Sequence, residues 1–221
     1  STSIFSQLFI FITTVINDGS FIIGGIGGFG VTGGAHRYYT HRSFKAKLPL
    51  QIILLACYTV SGQVRTLYRT GLEITGFIVP IMVPVFLWNE SWNIAVFGMA
   101  IVRYVLNLNF TWSVNSVAHI WGNKPYDTRI QPVQNSFVSI VALGEGWHNY
   151  HHVFPYDYRA AEIGGYLLNM TTMWLDFFGC IGWAYDFKSP SKQLVQHVAP
   201  NHGDGSWHEV LDAILRDYKA S

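Results

Sequence analysis

Apolar residues along this chain fall in long blocks, not in the short alternating or 3.6-residue patterns of a water-soluble core. The first block runs from Ile4 to Ala35 and is broken by Asn17-Asp18-Gly19. An Asp in mid-bilayer is costly, and Asn-Asp-Gly is turn chemistry. The block therefore predicts a helical hairpin, with a first span over about 4–16 and a Gly-rich second span over about 20–35. A full crossing takes about 20 residues, so the first span is expected to be cut short; one long imperfect span is the alternative. Residues 48–60 are apolar but short, as suits a buried or interfacial helix. Residues 72–88, kinked at Pro80 and Pro84, and residues 93–114, with Arg103 and several Asn inside, predict two more spans. From His119 onward the pattern is mixed and globular, and Tyr185 to Ser221 reads as a polar tail. The expected fold is all-α: an integral membrane protein of about four transmembrane helices with a helical cap, forming a single domain over 1–221.

Charge gives this arrangement a direction. Residues 36–71 hold Arg37, Arg42, Lys45, Lys47, Arg65 and Arg69, with no acid, whereas the 89–92 turn holds Glu90 and no Lys or Arg. The positive-inside rule places 36–71 and 115–221 in the cytosol. Asn89-Glu90-Ser91 matches a glycosylation sequon but lies too close to the membrane to be expected to carry a glycan.

Composition agrees. Half of the 221 residues are hydrophobic, 16% are aromatic and 12% are charged, against about 25% charged in ordinary soluble domains. A net charge of +1 offers no electrostatic case for nucleic acid. Cys57 and Cys180 sit in apolar sequence and are expected to be buried free thiols. No basic segment precedes an apolar run, so no signal peptide is expected, and the chain's start at Ser1 leads us to expect a natural N-terminus upstream.

Six of the nine histidines fall in three places on the predicted cytosolic side: His36 and His41 in HRYYTH, His119 in NSVAH, and His148, His151 and His152 in HNYHH. On a helix, positions 148, 151 and 152 lie within an arc of about 100°, so their three imidazoles can point one way. Asn115 and His119, four apart, share a face. His36 and His41, five apart, suit a helix end or a turn. A single histidine such as His119 is ordinarily a hydrogen-bonded core or surface residue. Six together in a chain poor in charge favour a metal site, and six exceed the four closed ligands of structural zinc, which points to two metals. Imidazole suits Zn, Cu, Fe and Ni; a redox pair beside a bilayer favours iron. Glu145 and Asp157 are candidates to fix histidine tautomers, with surface or capping duty as the alternative. His197, His202 and His208 in the polar tail are expected to be solvated.

These residues carry a resemblance. GVTGGAHRYYTHRSFKAKLPL (Gly30 to Leu50), NFTWSVNSVAHIWGNKPYD (Asn109 to Asp127) and GEGWHNYHHVFPYDYRAAE (Gly144 to Glu162) closely resemble the membrane-bound acyl-CoA desaturases, of the stearoyl-CoA Δ9 group and its insect relatives. WAYDFK (Trp183 to Lys188) and GDGSWH (Gly203 to His208) resemble the end of the same family. The resemblance implies a four-span fold in the endoplasmic reticulum membrane with a cytosolic cap. It implies a histidine-bound diiron centre, fed electrons by cytochrome b5, that uses O2 to insert a cis double bond, Δ9 in that group, into a saturated fatty acyl-CoA, with water as the other product. It makes His36, His41, His119, His148, His151 and His152 the metal ligands, and Asn115 a residue that approaches a metal through water. Thr111 and Trp112, with Gln63 as a less specific match, stand where the family lines its acyl tunnel. An unactivated C–H bond gives acid–base chemistry no handle, so the metal centre and O2 must supply the oxidant, and a bent, dry tunnel must supply selectivity.

The chain also departs from the family. A further histidine box, of the HRxHH kind, belongs between the first box and the third span, yet no histidine occurs between His41 and His119. Family-like sequence runs to about Gly62-Gln63 and resumes near Val64 to Gly71, as a splice variant, a decayed paralogue or a partial chain would show. The expectation is an incomplete two-metal centre with little or no desaturase activity. Two other readings stay open: a catalytically dead membrane protein that regulates an intact desaturase, and a related His-box lipid hydroxylase.

Overall fold

The computed structural model describes residues 19–63, 74–162, 165–209 and 212. The expected span over 4–16, Asn17-Asp18, Val64 at the junction, Arg65, Arg69 and the first residues of the 72–88 span lie outside the described residues. The chain divides into two compact units, Ser1–Val31 with Leu54–Asn109, and Thr32–Ile53 with Phe110–Ser221. Three elements run across this division: the π-helix Gly30–Thr40, α2 (Leu48–Val60) and the helix Arg103–Asn115.

The described residues of the first unit are helical apart from Gly19 and short breaks at 61–63 and 89–91. α1 (Ser20–Phe29) starts after Gly19, whose φ of 81° suits a residue without Cβ. The chain then continues as a π-helix, Gly30–Thr40, so the expected 20–35 helix runs five residues further. A side chain at Gly30 would collide with the backbone of Cys57 and Tyr58, so glycine permits the main chains of these two segments to meet. A π-turn over Ile74–Ile78 leads into α3 (Val79–Trp88), which closes on Asn89 in the left-handed region. α4 (Trp92–Ala95), a π-turn (Val96–Val102) and α5 (Arg103–Asn115) follow as one run. Arg103 is buried and donates to the carbonyls of Met99, Val60 and Gly76, pinning the end of α2 and the 74–78 turn to this run.

Among the described residues one helix, Trp92–His119 with 28 residues, is long and apolar enough to cross a membrane. It matches the expected 93–114 span. The expected 72–88 region is helical from Ile74, and its apolar stretch Gly76–Leu87 is shorter than a crossing requires. Residues 48–60 form the short apolar helix the pattern predicts.

The second unit is a cap of short helices closed by one antiparallel strand pair, β1 (Lys45–Ala46) with β2 (Ala184–Tyr185), in register Lys45↔Tyr185 and Ala46↔Ala184. α6 (Ser136–Val141) and α8 (Met170–Cys180) are each N-capped by an Asn side chain, Asn135 and Asn169, and α9 (Lys192–His202) by Ser191. Between α6 and α8 lies α7 (His148–Val153). Tyr126, Tyr150, Phe154, Val195, Ala199 and Trp207 form one core cluster. The region from Tyr185 is thus not simply a polar tail: α9 and Trp207 pack against α7. Its histidines, His197, His202 and His208, are exposed as expected. Cys57 is half-buried, but Cys180 is exposed on the open side of α8, against the expectation that both thiols are buried.

Candidate metal centre

All six histidines of the three boxes lie in the second unit, and local backbone geometry sets each one's position. His36 sits in the π-helix, and the His41 N–H donates to the His36 carbonyl at 3.0 Å. The wider i→i+5 turn brings residues five apart back toward one face, which an α-helix would not do. His119 ends a single 3₁₀ turn, Val117–His119, just beyond α5. Its Nδ1 lies 3.1 Å from the Val114 carbonyl, which can only accept, so this nitrogen carries the proton and Nε2 presents its lone pair. α7 carries the other three. It follows Gly144 (φ 114°) and Gly146, where a side chain would collide with Ser139 and Asn135 of the α6 segment.

Asn149 anchors α7. It is fully buried; its Oδ1 accepts from the Tyr126 and Asp127 amides, and its Nδ2 donates to the Asp127 and Pro132 carbonyls. Four bonds satisfy the whole amide, so its face of α7 is fixed against the 126–132 loop and the histidine face is held opposite. Sequence reasoning passed over Asn149; its signal was an Asn inside the histidine box, where helix propensity alone disfavours it.

The histidines gather into two groups of three: His36, His41 and His151, and His119, His148 and His152. In each group the candidate ligand atoms lie within 4.8 Å of one another. His151 Nε2 is 3.0 Å from His36 Nε2 and 3.2 Å from His41 Nε2, and His148 Nε2 is 3.1 Å from His152 Nε2. α7 therefore does not aim its imidazoles at a single point: His151 turns to the first group, and His148 and His152 to the second.

The first group is backed by a buried ion pair. Glu145 Oε2 lies 2.8 Å from His36 Nδ1, and Glu145 Oε1 accepts from Arg37 Nε at 3.0 Å and Nη2 at 2.9 Å. A carboxylate only accepts, so His36 carries its proton on Nδ1 and turns a lone pair on Nε2 toward the group. Arg37 is 1% exposed and also donates to the Tyr158 carbonyl, Thr172 Oγ1 and Asn169 Oδ1. Read from sequence as one of the cytosolic loop's cations, it is instead a buried counter-ion. Asp157 holds no histidine; it accepts from Tyr150 and Arg159.

Burial would raise the Glu145 carboxyl, but the Arg37 guanidinium and the His36 ring N–H beside it outweigh that and hold it well below the usual carboxylate range. Burial, then the His152 and His119 rings, pushes His148 down to about 3. Burial, then the His36 ring, pushes His151 down to about 2. Both rings are thus neutral near pH 7, the form that ligates a metal.

The donor set fits a metal. The Nε2 atoms of His36, His41, His148, His151 and His152 approach one another at 3.0–3.2 Å, and a ring nitrogen of His119 lies within 4.8 Å of its two partners. The Nδ1 atoms of His148 and His151 are buried without a hydrogen-bond partner, while their Nε2 atoms face the other imidazoles of their groups. A cation in each group would take up the lone pairs, and an all-imidazole set suits a redox-active or borderline transition metal.

Asn115 is exposed at the end of α5, four residues before His119. Trp112 is 60% exposed, and Thr111 is half-buried beside it. Gln63 lies in the first unit, its amide donating to Ser61 Oγ.

Comparison with characterised proteins agrees with the geometry. The chain is 38% identical to an acyl-CoA Delta-9 desaturase of Acheta domesticus over 251 residues, covering 84% of this chain and 70% of the relative. It is 37% identical to an acyl-CoA Delta(11) desaturase of Trichoplusia ni, covering 85% and 72%. It is 36% identical to stearoyl-CoA desaturase 5 of Bos taurus, covering 80% and 72%. No family model matches the chain. Since 84% of 221 residues is about 186, about 65 of the 251 aligned positions are filled by the Acheta domesticus relative alone. The alignments to the Trichoplusia ni and Bos taurus proteins show an excess of similar size.

Proposed function

The chain belongs to the acyl-CoA desaturase family, and from that premise we propose that it is a fatty acyl-CoA desaturase-type membrane protein whose two histidine groups each hold one iron ion. The observation that carries this reading is the convergence of six imidazoles into two groups on one unit, with the tautomers of His36 and His119 set by Glu145 and the Val114 carbonyl. Bound iron would supply the O2-dependent oxidation of a saturated acyl chain: the chain would lose two hydrogens to become a cis alkene, and O2, with two electrons from a donor and two protons, would leave as two waters. The chain's own residues hold the site: Glu145 and the Val114 carbonyl orient His36 and His119, Asn149 fixes α7, and Arg37 neutralises Glu145. Asn115 would approach a metal through water, and Gln63, Thr111 and Trp112 would line the acyl path. Four spans, an endoplasmic reticulum membrane, cytochrome b5 as electron donor and Δ9 position complete the reading.

We place the segment of about 65 residues that the relatives carry and this chain lacks at the Gln63–Val64 junction, where the HRxHH box is expected. Each group then keeps three protein ligands and an incomplete coordination sphere, so turnover is expected to be low or absent. The same gap favours a second reading, a silent relative that pairs with an intact desaturase. The test is product analysis on purified, iron-loaded protein in lipid with a saturated acyl-CoA, a reductant and O2. Double-bond formation by this chain alone contradicts the inactive reading. Co-purification with an active full-length desaturase, without activity alone, supports the second.

A further inference from the structure

The cap carries an apolar stripe that nothing in the site explains. On α8 and its C-cap residue Ile181, the side chains of Met170, Trp174, Phe177 and Ile181 are between 39% and 50% exposed. At 100° per residue they fall within an arc of about 60°. Thr171, Thr172, Leu175 and Phe178 are buried on the other side. The only charged side chain of the helix, Asp176, lies off the stripe and accepts from the Tyr158 and Tyr166 hydroxyls. Just before the helix, Leu167 is 88% exposed. Soluble proteins seldom leave an aligned row of large apolar side chains uncovered.

The stripe's far end is basic. The Lys47 amide donates to the Trp183 carbonyl, and its ammonium lies beside Gly182, directly after Ile181. Lys45 sits on the neighbouring strand, and the 390 Å³ groove there is lined by Arg42, Lys45 and Lys188 against a single acid, Asp186, which Lys45 already neutralises. A Trp- and Phe-bearing stripe with cations at its edge matches a helix lying in the plane of a bilayer surface, apolar face among the upper acyl chains and cations at the headgroups. Unit two also contains the last turns of the helix Trp92–His119 that is fit to cross a membrane.

We propose that α8 is an in-plane membrane-surface helix that seats the cap on a bilayer containing anionic lipid. The proposal rests on the reading of the chain as a membrane protein, and the experiment separates the two. The full chain, with Cys57 and Cys180 replaced by Ser, is reconstituted in phosphatidylcholine vesicles with or without phosphatidylglycerol. The fluorophore NBD is attached at Trp174→Cys, at Phe177→Cys or, as a water-exposed reference on α9, at Gln193→Cys. Retained cobalt binding identifies folded variants, and two stripe positions guard against one failing to fold. The expected result is severalfold stronger emission at 174 and 177 than at 193, quenching there by lipid brominated near the headgroup, and a further rise with phosphatidylglycerol that Lys45→Glu with Lys47→Glu abolishes. Equal quenching of all three positions by aqueous iodide overturns the proposal. So does protection at 174 and 177 from iodide and brominated lipid alike, the result if a second copy of the chain covers the stripe. Protein that fails to co-float with vesicles overturns the membrane reading as well, whereas co-flotation with α8 in water overturns this proposal alone.

Discussion

The two histidine groups are built by different means. The first joins His36 and His41 on one segment to His151, more than a hundred residues away, and an ion pair between Arg37 and Glu145 sits behind it. The second joins His148 and His152, one turn apart on α7, to His119, whose ring is oriented by a main-chain carbonyl five residues upstream. Orientation in the second group follows from secondary structure and has no side chain that can be mutated away. Orientation in the first depends on two buried charges that must find each other in the folded chain. The first group is therefore the more tunable and the more fragile.

Breaking the charge pair tests this most severely. Arg37→Leu leaves the Glu145 carboxylate buried without its guanidinium and is expected to destabilise the cap by about 3–5 kcal/mol, read as thermal unfolding in detergent. Replacing both, Arg37→Leu with Glu145→Leu, should recover much of that loss while the first group still binds metal poorly. Equal losses in the single and double variants would mean that the pair does not act as a unit.

Removing a ligand separates the groups. In cobalt titrations of the metal-free protein, His41→Ala is expected to abolish binding at the first group and leave the second, and His152→Ala the reverse. Loss of all binding in either variant would show one shared site in place of two. A milder change, Glu145→Gln, keeps the shape but removes the charge behind His36, and should weaken cobalt at the first group by about 10–100-fold. Unchanged affinity there would remove Glu145 from the account.

Acid sharpens the comparison further. His148 and His151 have folded-state values pushed far below the ordinary histidine value, which is about 6.5 in an unfolded chain. Below that pH the unfolded chain binds protons that the folded protein refuses, so stability falls with falling pH. Metal-free protein is expected to lose thermal stability progressively from about pH 6.5 toward pH 3, and bound metal should resist that loss until protons displace it. A flat profile over this window would mean these rings are not held neutral.

Much of this was legible in the sequence. The apolar block at 48–60 is the helix Leu48–Val60, and the block at 93–114 lies within the helix Trp92–His119. The six ligand-type histidines could be singled out because three histidine boxes stand in family order in a chain otherwise poor in charge. Their division between two groups was not, since a helical-wheel argument treats α7 as facing one partner surface and is blind to which distant segment meets each ring. The pairing of His36 with His41 was obscured because α-helical periodicity does not anticipate a π-turn. Arg37 was counted only among the cytosolic loop's cations, because its partner lies 108 residues away. Glu145 and Asp157 looked alike as acids beside the third box; only folding showed that Glu145 reaches a histidine and Asp157 reaches a tyrosine and an arginine.

The central claim, a desaturase-family site left incomplete by one absent segment, is tested most directly by restoring that segment. The chain as it stands and the chain carrying the corresponding stretch of the Acheta domesticus relative between Gln63 and Val64 would be iron-loaded, reconstituted with a reductant system, and assayed for double-bond formation by mass spectrometry. The account predicts a cis-unsaturated product from the restored chain and none above background from the original. Turnover by the original chain, at a rate comparable to the restored one, would contradict it.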